Sequence, residues 1–112
     1  MGTGLHICGY TDPILEDIVN TGVTNISIDA PTDLAKAVEV AKGKAVVIGN
    51  VNTNLFFLGT KDDMESAVKN CIDIAATNSG FILATGCEVP GIATPEKIQW
   101  FMDAARRFGR YQ

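Results

Sequence analysis

The chain has 112 residues, room for one domain with a modest core. Apolar residues make up 46% and charged ones 20%, a globular balance that excludes a disordered chain. The net charge of −4 comes without a Lys/Arg run, which argues against nucleic-acid binding, and no apolar stretch reaches the roughly 20 residues needed to span a bilayer. The opening Met1-Gly2-Thr3-Gly4 lacks the charged and apolar regions of a secretion signal, so a cytoplasmic location is expected. Cysteines at positions 8, 71 and 87, an odd number, argue against a disulfide framework and leave core packing, metal ligation or nucleophilic chemistry.

In chain order, Leu5–Cys8 is the first strand candidate. Asp12-Pro13 then reads as a helix start, with Ile14, Leu15, Ile18 and Val19 on one face and Gly22 as the stop. Asn25–Asp29 is the second strand, and Thr32 opens a helix that carries Leu34, Val38 and Ala41 to Gly43. Ala45–Asn50 is the third strand, followed by a short turn of helix within Asn52–Leu58. Thr60 and Asp63 form a capping box for a helix with Met64, Ala67, Val68, Cys71, Ile74 and Ala75 at helical spacing. Gly80–Thr85 is the fourth strand; Thr94-Pro95 starts the last helix, with Ile98, Phe101, Met102, Ala105 and Phe108 on its apolar side before Gly109. The strands are short and almost continuously apolar, as suits parallel strands buried on both faces. The β-α-β-α-β-α-β-α order predicts an α/β fold of four parallel βα units, with residues 1–112 as one domain. An open doubly wound sheet and half of a TIM (β/α)₈ barrel both fit; a complete barrel takes about 250 residues.

In parallel α/β folds the functional groups gather at the C-terminal ends of the strands. His6 and Cys8 lie two residues apart at the end of the first strand and so face one side. Asp29 ends the second strand, Asn50 the third, and Cys87 follows the fourth by two residues. One imidazole, two thiols and a carboxylate on one rim form a zinc inventory. A barrel of radius roughly 8 Å places strands three places apart about 14 Å from each other, a gap that inward side chains and a loop are able to close. Each residue also has a plainer reading. His6 fits a hydrogen-bonded structural histidine, Asp29 a loop cap and Asn50 a turn residue. Cys71, on the apolar helix face, reads as a small core hydrophobe.

Leu5-His6-Ile7-Cys8-Gly9, Ile26-Ser27-Ile28-Asp29, Ile48-Gly49-Asn50-Val51 and Phe81-Ile82-Leu83 leading into Gly86-Cys87-Glu88-Val89-Pro90 together resemble the uroporphyrinogen decarboxylase superfamily. The resemblance runs over essentially the whole chain and covers the second half of that family's barrel. Its decarboxylases carry a Gly-His-Gly type sequence where this chain has Gly86-Cys87-Glu88, and they need no metal. The zinc methyltransferase branch, of the methylcobamide:coenzyme M type, uses His-x-Cys plus a late Cys, which His6, Cys8 and Cys87 match. Cobalamin-independent methionine synthase is similar in the same region, with a carboxylate ligand on the next strand. That makes Asp29 a candidate fourth ligand or supporting group, and Asp29 and Asn50 the candidate catalytic polar residues. Where the superfamily often has Asp-Pro, this chain has Asn52-Thr53, so no substrate contact is carried over to that loop.

The resemblance implies zinc-dependent methyl transfer from a methylated corrinoid, brought on a separate carrier protein, to a small thiol. A half-barrel also implies a partner, either a second copy in a homodimer or a complementing N-terminal half, because edge strands and an apolar inner face stand open. Two alternatives stay open: a metal-free decarboxylase-like lyase, and a non-catalytic metal-binding or assembly half-barrel.

Overall fold

The computed structural model describes residues 2–76 and 80–109. Strands β1 (Gly4–Ile7), β2 (Asn25–Ile28), β3 (Val46–Val51) and β4 (Phe81–Thr85) form one parallel sheet in the order β1-β2-β3-β4. Helices α1 (Leu15–Asn20), α2 (Leu34–Ala41), α3 (Lys61–Ala75) and α4 (Pro95–Phe108) follow the strands in turn. Each strand lies beside its predecessor, and each helix packs on the one before it. This decides between the two architectures. A doubly wound sheet reverses strand order at a switch point, whereas unreversed right-handed crossovers put every helix on one side, as in a (β/α)₈ barrel.

The alternation along each strand separates the two faces. Ile26, Ile28 and Val47 are buried against the helices, and Leu5, Ile7, Phe81 and Leu83 pack onto the same core. Fully burying such a side chain contributes about 1.5–3 kcal/mol, so this face sets the register. The opposite face carries a row of paired residues, His6 beside Ser27, Ser27 beside Ile48 and Ile48 beside Ile82. Ile82 is 52% exposed, so the inner face is uncovered among the described residues.

Helix starts differ from expectation in two places. The first turn after β1 is a 3₁₀ turn, Asp12–Ile14, preceded by Thr11 with no side-chain cap, and α1 proper begins at Leu15. Asp12 instead accepts a hydrogen bond from the Asp33 backbone N–H at 2.8 Å. Asp33, not Thr32, caps α2, accepting from the N–H groups of Ala35 and Lys36. Thr32 is buried in a hydrogen-bonded pair with Thr11, its hydroxyl diverted to a tertiary contact. The short turn within Asn52–Leu58 is a 3₁₀ turn, Thr53–Phe56, and the Thr60–Asp63 capping box on α3 is reciprocal.

The expected face of α3 holds in part: Met64, Val68, Cys71 and Ala75 are buried and Ala67 half-buried, but Ile74 stays exposed. That of α4 is corrected: Ala104 is its buried residue, Trp100, Phe101 and Phe108 pack onto the core, and Ile98 and Met102 stay exposed. The helix lies at one flank of the layer, so only its α3-facing side is covered. Met64 has no exposed surface; Met64→Ala is expected to destabilise the fold by about 2–5 kcal/mol, and Thr60→Ala by about 1 kcal/mol, both read from urea unfolding midpoints.

Candidate functional site

The site is built from the β1, β2 and β4 ends of the rim. His6 is the third residue of β1, and Cys8 follows the strand directly, so the pair projects from the open face. His6 Nε2 stands 3.2 Å from Cys8 Sγ, and Cys8 Sγ stands 3.0 Å from Cys87 Sγ. The three side chains offer ligand atoms that all lie within 4.8 Å of one another. Strands β1 and β4 lie at opposite edges of the sheet, and the loop after β4 carries Cys87 across the intervening gap. His6 and Cys8 are exposed and Cys87 is half-buried.

The end of β2 holds the two loops together. Asp29 accepts hydrogen bonds from the N–H of Gly9, next to Cys8, at 2.8 Å and from that of Ala30 at 2.7 Å. On the other side Gly86, next to Cys87, lies against the same segment. A Cβ on Gly86 would stand 2.6 Å from Ala30 N and 2.8 Å from Asp29 Oδ1. Asp29 thus touches the neighbour of each cysteine, but it stands outside the three-residue cluster, and both of its oxygens are already bonded to backbone N–H groups. It braces the loops rather than entering the cluster.

Asn50 belongs to the same scaffold. It is the fifth residue of β3, not the last, and its side-chain amide donates to the carbonyls of Asp29 at 3.1 Å and Thr32 at 2.9 Å. Cys71 donates to Asn50 Oδ1 at 3.6 Å from beneath, so Asn50 connects the rim to the helix layer. Burial pushes the Cys71 thiol up, with its hydrogen bond to Asn50 partly offsetting the rise. A buried, protonated thiol is the core cysteine that the helix spacing predicts. The loop after β4 is held by Gly86 N–H donating to the Val51 carbonyl at 2.8 Å and Thr85 Oγ1 to the Cys87 carbonyl at 2.7 Å.

The Cys8 thiol is raised above its ordinary value, first by the hydrogen bond it shares with Cys87, then by desolvation and the negative charges of Cys87 and Asp29. Two thiols this close resist carrying two negative charges without a cation between them, so a cation held here would displace their protons. The donor set suits zinc. Tetrahedral zinc with Zn–S bonds of about 2.3 Å sets two sulfurs roughly 3.8 Å apart, so the cysteine pair has to open by less than 1 Å. Cys8 is exposed and has room for that rotation.

His6, Cys8 and Cys87, the trio expected from the sequence, stand together, and two residues of their surroundings were not expected. Gly86 is needed because no Cβ fits against Asp29 and Ala30. Ser27 lies 2.8 Å from His6 Nδ1 through its Oγ. The period-two alternation of Ile26-Ser27-Ile28-Asp29 is the signal that places Ser27 on the same open face. Gly86→Ala is expected to displace the Asp29–Ala30 segment and to destabilise the protein by about 1–3 kcal/mol, measured by chemical denaturation.

Comparison with known proteins follows the same lines. Residues 2–108 match the family described as Uroporphyrinogen decarboxylase (URO-D). The chain is 29% identical over 109 residues to the methylcobamide:CoM methyltransferase MtbA of Methanosarcina acetivorans, covering 96% of this chain and 31% of that protein. It is 28% identical over 99 residues to MtaA of Methanosarcina barkeri, another methylcobamide:CoM methyltransferase, covering 87% of this chain and 28% of the relative. Among solved structures, a methyltransferase from Methanosarcina mazei superposes with a TM-score of 0.84 at 26% identity, over 97% of this chain and 32% of the other. The chain therefore spans about a third of the length of the curated relatives it matches.

Proposed function

The chain belongs to the uroporphyrinogen decarboxylase family, and from that premise we propose that it carries the metal-binding part of a zinc-dependent enzyme moving a methyl group from a methylated corrinoid to a thiol. The observation that carries this reading is the convergence of His6, Cys8 and Cys87 from opposite edges of the sheet. A metal-free lyase has no use for two thiols and an imidazole in mutual contact. The relatives' names, methylcobamide:CoM methyltransferase, supply the reaction class.

In this reading His6 Nε2 and the sulfurs of Cys8 and Cys87 hold the ion. Zinc held there would lower the pKa of a thiol substrate, so that it would bind as the nucleophilic thiolate near neutral pH. Two anionic cysteine ligands leave the donor set with enough electron density to keep a bound thiolate reactive. Asp29 and Asn50 act as positioning residues, the first by clamping the Gly9 and Ala30 N–H groups, the second by holding the Asp29 and Thr32 carbonyls. In the transfer itself a sulfur–carbon bond forms as the cobalt–carbon bond breaks. The electron pair of the broken bond stays on cobalt, and the thiol proton passes to solvent.

The corrinoid comes on a separate carrier protein, which has to approach the rim where the cluster lies. No helix of the described residues is long and apolar enough to cross a membrane. The three free cysteines suit a reducing compartment such as the cytoplasm. Ile14 on the first flank, Ile98 and Met102 on the last, and Ile82 on the inner face are all exposed. These four residues support association with a second copy or with further βα units that complete the barrel.

Protein purified in metal-free buffers and titrated with zinc is expected to hold about one ion per chain, with tight binding lost in His6→Ala, Cys8→Ala and Cys87→Ala; a folded wild-type protein that takes up none would sink this reading. With methylcobalamin and a small thiol, loss of the cobalt–carbon absorbance is expected to be at least about tenfold slower in Cys87→Ala. Light scattering of the isolated chain is expected to give a dimer, and a sharp monomer across the concentration range would contradict the self-association.

A further inference from the structure

His6 is the chain's single histidine, and both of its ring nitrogens are engaged. Nε2 faces Cys8 Sγ at 3.2 Å, and Nδ1 faces Ser27 Oγ at 2.8 Å. Ser27 is the direct cross-strand partner of His6 in the β1–β2 register, so the hydroxyl is delivered by the sheet and not by a loop. Sheet pairing makes this the most rigid attachment available on the rim.

We propose that Ser27 is a positioning residue, which holds the His6 ring through Nδ1 so that Nε2 faces the cysteine sulfurs. The inference rests on the metal reading for its purpose, but the ring orientation is a property of the chain itself.

Without metal, the Ser27 hydroxyl and the cysteine thiols can each donate or accept, so the contacts run in either of two directions. In one, Cys8 S–H donates to His6 Nε2 and His6 Nδ1–H donates to Ser27 Oγ; in the other, Ser27 O–H donates to Nδ1 and Nε2–H donates to Cys8 Sγ. Both keep the ring in the same place. With a metal held by Nε2, Nδ1–H would donate to Ser27, so the same ring orientation serves both states and metal uptake requires no ring flip. A free imidazole rotates, and one fixed second contact removes that freedom.

The character of the partner has a further consequence. A carboxylate facing Nδ1 would add a negative charge beside two thiolates. The hydroxyl adds none, so Ser27 orients the imidazole without making the rim more anionic than the cysteines and Asp29 already make it.

Two measurements test this. ¹H–¹⁵N NMR of the sole histidine, on zinc-loaded protein, is expected to show a slowly exchanging Nδ1–H in the wild type and a faster-exchanging one in Ser27→Ala. Zinc affinity, read by chelator competition, is expected to fall about 10–100-fold in Ser27→Ala and to recover in Ser27→Thr, with the cobalt(II)-substituted spectrum unchanged in all three. The nearly isosteric Ser27→Thr and Ser27→Val pair, both suited to a strand, isolates the hydroxyl if Ser27→Ala fails to fold. Unchanged Nδ1–H exchange and unchanged affinity in Ser27→Ala or Ser27→Val would overturn the inference while leaving the zinc site standing. Absence of zinc from the wild type would instead overturn the metal reading, and the purpose of the contact with it.

Discussion

Everything on the rim depends on four parallel strands wound in unbroken sequence with their helices on one face. Because β1, β2, β3 and β4 run the same way, their C-terminal ends open onto a single edge, and residues far apart in the chain arrive there together. The apolar rows that pack on the helices set the register, and the register alone decides that His6 sits beside Ser27. A slip of one residue would exchange the faces of a strand and send the imidazole into the helix layer.

The ladder ends before the cysteines, and from that point side chains take over. Asp29 serves as the tie, with Gly9 N–H on one oxygen, Ala30 N–H on the other and the backbone of Gly86 pressed against it. Asn50 fixes the carbonyls of the same segment, and the buried Thr11–Thr32 pair anchors the loop that follows Cys8. Among the described residues, no buried side-chain nitrogen or oxygen lacks a partner. That satisfaction matters because a half-paired network in a partly desolvated rim would be costly and mobile. Here the polar residues near the cluster are spent on geometry, which leaves the imidazole and thiols as the groups free to meet a ligand.

The same winding leaves its signature on what is uncovered. Flanking elements expose apolar residues on their outer sides, Ile14 at one end and Ile98 and Met102 at the other, while α2, between neighbours, buries Leu34, Ala37 and Ala41. A chain that spans about a third of its relatives' length and carries four consecutive βα units is expected to look like this.

The sequence by itself determined the element order, the strand and helix types, the core role of Cys71 and the trio of His6, Cys8 and Cys87, because each is written in local spacing: period two, period 3.6, His-x-Cys, or a cysteine just past a strand. It also placed Asp29 and Asn50 on the rim. What it left open is what depends on distance across the fold. The choice between a doubly wound sheet and a barrel rests on which strand lies beside which. The helix starts at Thr11 and Asp33 depend on Thr32 being drawn into a tertiary pair. The role of Asp29 as a brace and the partnership of Ser27 with His6 depend on cross-strand register and loop approach. Such contacts join residues about twenty positions apart, and no local pattern encodes a pairing at that range until the apolar face has been buried and the strands have settled against one another.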